Sequence, residues 1–148
     1  MEAGEGELGL DRRPAGATDA TVEAVGKLSE AFETIEEVRG RLYGLHRLTG
    51  SADFALGDAC DLLRKAGHAA LADRLERELV GRNVLAGRWT FQVVEEFDDG
   101  YYADFKRLER QVRDELMEGR RHVFEADMKR ARRTEGRAGH EATPDDGD

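Results

Sequence analysis

Two pairs of acids carry the spacing most suggestive of chemistry. Glu33-x-x-Glu36 and Asp58-x-x-Asp61 each set two carboxylates three residues apart, which on a helix puts both on one face. If the two pairs sit on neighbouring helices, four carboxylates can converge on Mg²⁺, a hard cation that takes oxygen ligands. The expected chemistry is then metal-assisted attack on a phosphate. The opposing expectation is that these acids are solvated helix faces, since the chain holds 32 acids among 148 residues.

The acid spacing resembles that of the all-α nucleoside triphosphate pyrophosphohydrolases, which implies magnesium held against the phosphates by Glu33, Glu36, Asp58 and Asp61. The second pair departs from that family, being Asp-x-x-Asp in place of Glu-x-x-Asp. Other constellations fall short. A calcium loop begun at Glu95 would place Phe97 and Lys106 at positions that need oxygen ligands. A di-iron bundle needs Glu-x-x-His on two helices, and His122-x-x-Glu125 has the reverse order on one. Arg120, Arg121 and His122 open a basic stretch that also holds Lys129, Arg130, Arg132 and Arg133. It reads either as compensation of a helix dipole or as a surface for an acidic partner. No phosphate-binding glycine loop, nucleophile elbow or paired-cysteine motif occurs. Cys60 reads as a small buried residue.

The elements that must position these residues read as helices. From Thr18 or Asp19, apolar residues from Val22 to Leu48 recur at steps of three and four, predicting a first helix to about Thr49. Gly50 is expected to end it. Ser51 or Asp53 then opens a second helix with Phe54, Ala55, Ala59, Leu62 and Leu63 inward, stopped by Gly67. A third runs from His68 or Ala69 to Gly81, so the second and third form a hairpin. The last helix, with Tyr102, Phe105, Leu108, Val112, Leu116 and Val123 inward, is expected to reach about Arg133.

Between them, residues 81–105 hold six of the ten aromatic residues. Trp89, Phe91, Val93 and Phe97 alternate as in a strand. With no second strand candidate, a lone strand would leave its backbone unpaired. We therefore expect an irregular 82–88 loop and helix from about Thr90. The rings are expected to close the core, with Trp89 mostly buried. If they are exposed instead, Trp89, Tyr101 and Tyr102 become a binding surface.

The net charge is -9. Residues 1–20 carry five acids and two bases, and residues 135–148 five acids and one base, so most of the acidity lies in the ends. Residues 1–19 and 135–148 are expected to be disordered acidic tails, poor in apolar residues, around one helical domain of residues 20–134. The folded part is left nearly neutral, and nucleic acid is not expected as a partner because no aromatic stacking surface is interleaved with the basic stretch of residues 120–133. Residues 1–20 lack the basic start and apolar run of a signal peptide, and no apolar run is long enough for a membrane helix. The expectation is a soluble, cytoplasmic protein.

The stretches GRLYGLHRLTGSADFAL, GRNVLAGRWTFQVVEEFDDGYY and GRRHVFEADMKRARRT resemble a family of small bacterial proteins without an established activity. That resemblance implies a fold unit and no chemistry. The sequence therefore predicts an all-α protein in which two long helices flank a short hairpin and an aromatic-rich connection. Its expected role is a non-enzymatic helical interaction module without a cofactor, meeting a second copy or another protein. The alternative is the Mg²⁺-dependent enzyme.

Overall fold

The computed structural model describes residues 12–141. The chain is all-α: α1 (Asp19–Lys65), α2 (Ala69–Glu78), α3 (Thr90–Phe97), a π-helical turn (Asp98–Tyr102), α4 (Ala103–Met117) and α5 (Val123–Arg132). The described residues form no strand, only an isolated bridge between Leu85 and Arg88. The described residues divide into two compact units, one of residues 12–34 with 105–141, the other of Ile35–Asp104. The expected single domain of residues 20–134 is thus built of two units that share α1 and α4 through the chain. Residues 1–11 and 142–148 of the expected tails lie outside the described residues.

In the first unit, the Thr18 hydroxyl accepts the Thr21 N–H (3.2 Å), capping the start of α1. Val22 and Val25 then pack with Met117 and Val123, flanked by Ala17 and Val112. Residues 12–18, expected to be loose, are docked here: Pro14 is buried, and the Arg13 guanidinium bonds both Asp19 and Asp127. A buried polar cluster lies beside this core. The Arg113 guanidinium donates to the Glu109 carboxylate (3.1 Å) and to the Gly119 carbonyl (3.0 Å), while the Ser29 hydroxyl donates to Glu109 (3.0 Å).

The last helix breaks where continuity was expected. Glu118, Gly119 and His122 all adopt positive φ, the left-handed region that ends helices. The Gly119 N–H reaches back to the Arg113 carbonyl (3.1 Å), and α5 starts afresh at Val123. Phe124 then lies against Gly26 so closely that a Cβ on Gly26 would sit 2.8 Å from the Phe124 Cβ.

In the second unit, α1 runs unbroken through Gly50, which corrects the expected stop. A glycine ends a helix by taking positive φ, and Gly50 does not. The hydroxyls of Thr49 and Ser51 bond back to carbonyls one turn earlier, so they do not compete with the helix. The stop comes at Gly67, whose φ is +89°. There the His68 N–H bonds the Leu63 carbonyl (2.8 Å) and the Gly67 N–H the Arg64 carbonyl (3.0 Å), the paired bonds of a Schellman motif. The expected hairpin forms between the end of α1 and α2, around the buried Cys60 and Ala72. The Arg64 guanidinium bonds Asp73 and Glu76 across it.

The Thr90–Phe97 segment is helix. The Gln92 side-chain oxygen accepts the Trp89 N–H (3.0 Å), an N-terminal device that a strand lacks.

Candidate functional site

The π-helical turn organises one side of the second unit. It adds a residue to the helical repeat, the kind of insertion that tends to mark functional or specially aimed positions. Asp98 takes both a bidentate bond from Arg39 (2.8 and 3.2 Å) and the Tyr43 hydroxyl (2.5 Å). The Tyr102 hydroxyl donates to Glu36 (2.6 Å). The Arg39 guanidinium lies over the Tyr43 and Tyr102 rings at 4.9 and 4.7 Å, adding cation–π attraction.

The electrostatics of this cluster favour holding over proton transfer. The Arg39 and Tyr43 hydrogen bonds pull the Asp98 carboxyl below its ordinary range. The bond to Asp98 raises the Tyr43 hydroxyl, and the bond to Glu36 raises that of Tyr102, so both remain donors. A general acid or base works best with a pKa near the operating pH, and these shifts move away from neutrality. The cluster fixes the turn against α1.

An open groove of about 800 Å³ lies in the same unit. One wall is α1 from Thr49 to Leu56, and the opposite rim is formed by Leu79, residues 81–84 and Trp89–Phe91. Its shape is held by two polar ties: the Asp53 carboxylate accepts the Gly81 N–H (2.8 Å), and His46 Nδ1 meets the Thr90 hydroxyl (2.7 Å). Trp89 and Phe91 stack at a tilt with centroids 5.2 Å apart. The expectation that Trp89 closes the core is corrected here, for it is 56% exposed. The underlying cause is supply of apolar partners: α3 spends its buried position on Val94, and the ring is left on the rim.

The magnesium arrangement meets a geometric obstacle. Glu33, Glu36, Asp58 and Asp61 all lie on the single helix α1. Glu36 and Asp58 are 22 residues apart on it, or about 33 Å at 1.5 Å per residue. The two-helix convergence needed a break at Gly50. Glu36 is moreover bonded to Tyr102. One copy of the chain therefore cannot bring both pairs to one cation.

The first unit holds a different ligand-type cluster. Glu33, His122 and Glu125 bring one donor atom each within 4.8 Å of one another, all three exposed. The left-handed turn before α5 places His122 there, and Glu125 follows one turn along the helix. The His122-x-x-Glu125 spacing was visible in the sequence, but its meeting with Glu33 depends on the break at Gly119.

The remaining candidates divide between the units. Tyr101 is exposed, 6.2 Å by centroid from Phe97, and Tyr102 is half-buried in the Arg39 cluster. Arg120 is committed, donating to the Arg12 carbonyl (2.7 Å) and Glu118 (3.0 Å), while Arg121 is exposed. Among the described residues no helix is long and apolar enough to cross a membrane. In comparisons with known proteins, no family model, curated protein or solved structure matches the chain.

Proposed function

We propose that the protein is a non-enzymatic helical interaction module whose binding surface is the groove of the second unit. The observation that carries this reading is the rim itself: Trp89, Phe91, Leu79 and Val84 are all exposed around one open groove. Apolar side chains gathered this way mark interaction sites, because leaving them in water sacrifices the hydrophobic stabilisation that burial would supply. Tryptophan is among the residues most enriched at the energetic centre of interfaces. An open groove with aliphatic and aromatic walls suits the apolar face of an amphipathic helix, whose anchors recur at steps of three and four.

The polar groups of the unit support the same reading. Asp98, Arg39, Tyr43, Tyr102 and Glu36 satisfy one another, which serves rigidity and leaves no free acid–base pair among them. Residues 35–104 carry 13 acids and nine bases, a net -4 that also disfavours polyphosphate and nucleic acid. The partner is a protein.

The test is capture with wild-type and Trp89→Ala/Phe91→Ala baits, including a differently tagged copy of the chain among the prey. We expect a protein retained by the wild type and lost by the variant, whose addition shifts Trp89 emission to the blue. A retained set identical for both baits, with unchanged emission, overturns the reading.

A further inference from the structure

We infer that the second unit pairs with a second copy of itself, α1 against α1, antiparallel about a two-fold axis between Asp53 and Phe54. This deepens the interaction reading above and rests on it. Leu45, Leu48, Ala52, Ala55, Ala59 and Leu62 recur at alternating steps of three and four along α1. Such a seam is the pattern by which two helices interdigitate. Within one copy it goes largely unused: Leu45 is 45% exposed, Leu48 70% and Leu62 64%. The seam also borders the groove, sharing Ala52 with its wall.

Three features select the occupant and its direction. Sizes match, because antiparallel pairing about that axis sets Leu45 level with Leu62 of the second copy, Leu48 with Ala59, and Ala52 with Ala55. Leucines meet at the ends, a leucine meets an alanine further in, and alanines at the axis let the backbones approach. Charges match too. Arg47, Asp58 and Asp61 flank the seam on one side, and none of them has an ion-pair partner among the described residues. The same axis brings Arg47 level with the stretch from Asp58 to Asp61 of the second copy, twice per dimer by symmetry. A parallel pairing would set Arg47 level with Arg47 and Asp58 with Asp58, like against like. Finally, the seam spans 17 residue steps, about 26 Å. That length fits the small, exchanging class of interfaces, with a dissociation constant on the order of micromolar.

Sedimentation equilibrium over a concentration series tests the pairing. We expect a reversible monomer–dimer equilibrium, abolished by Leu48→Glu with Leu62→Glu at unchanged helical circular dichroism. Arg47→Asp alone and Asp58→Arg with Asp61→Arg alone should each weaken the dimer several-fold. Combining the three changes should restore it. In a Cys60→Ala background, a short bismaleimide should join Leu45→Cys protein to Leu62→Cys protein, and leave Leu45→Cys protein alone unlinked, because its two copies lie about 26 Å apart along the seam. A monomer at every soluble concentration overturns the inference, as does efficient Leu45→Cys self-linking, which requires parallel helices. A dimer that ignores Leu48 and Leu62 yet dissociates with Trp89→Ala/Phe91→Ala removes the seam and leaves the groove reading standing.

Discussion

Replacing Arg113 by Met probes the only charge pair in the described chain that is buried on both sides. Arg113 is 8% exposed and Glu109 7%, and the guanidinium makes two bonds of different kinds, to the Glu109 carboxylate and to the Gly119 carbonyl. Methionine fills much of the same volume, so the packing loss is small. What remains is a buried carboxylate held only by the Ser29 hydroxyl, and a turn carbonyl without its donor. Removing one partner of a buried pair costs about 3–5 kcal/mol, a large share of the roughly 5–15 kcal/mol that holds a domain folded. Urea denaturation should show that drop in the midpoint. Removing both charges together, with Glu109→Leu and Arg113→Met, should recover most of the loss, because no uncompensated charge then remains. A single variant within about 1 kcal/mol of wild type would refute the reasoning, since that is the behaviour of a solvated pair. So would a double variant as unstable as the single one, which would assign the effect to packing.

Three further outcomes follow from the geometry. Trp89→Ala should cost well under the about 3–5 kcal/mol typical of a buried aromatic, because the ring is more than half exposed; thermal unfolding reads this directly. Gly26→Ala should destabilise by about 1–3 kcal/mol, since its new Cβ meets the Phe124 Cβ at 2.8 Å, and Phe124→Ala should not remove the clash, because alanine keeps that Cβ. Asp98 has a folded-state pKa below its unfolded value because Arg39 and Tyr43 bond its ionised form. Its stabilisation is therefore full above the unfolded pKa, about 3.9, and is lost as pH falls through the lower folded value. The urea midpoint of wild type should thus fall more steeply below about pH 4 than that of Asp98→Asn, and parallel profiles would remove Asp98 from the account.

Much of the helix content was legible because it rests on local rules. The three-and-four rhythm from Val22 onward, the Thr18 cap and the Gly67 stop each act within one or two turns, and each holds. The capacity of Cys60 to pack as a small residue is likewise local, and it is fully buried. Glycine's identity at position 50 permits a stop without requiring one; its φ stays helical, with the flanking Thr49 and Ser51 hydroxyls bonded back to carbonyls one turn earlier. The break at 118–122 was hidden for the opposite reason, since Glu118 and His122 take positive φ without being glycine. The turn is held by a buried side chain bonding a carbonyl six residues further on, Arg113 to Gly119, a tie that no apolar rhythm or stop residue signals.

The site suffered from the same limit. A π-helical turn has no composition of its own, so the meeting of Asp98, Arg39 and Tyr102 could not be read from the acidic run around them. The acid pairs carried correct local spacing and a wrong assumption about the helix between them. The inward stripe expected for residues 51–66 contained Phe54 and Leu62, both of which are exposed. Hydrophobic pattern reports that a residue has a use for burial, and it is silent on whether the covering surface belongs to the same chain. For Trp89, Leu48 and Leu62 the same ambiguity had the same outcome.

The single tryptophan makes the central claim directly measurable. At high dilution Trp89 emission should be red-shifted and readily quenched by acrylamide, and it should move to the blue and become shielded once a partner helix occupies the groove. A Trp89 that is already blue-shifted and resistant to quenching in the dilute, isolated chain would mean that the chain covers its own rim, and the groove would then have no partner to bind.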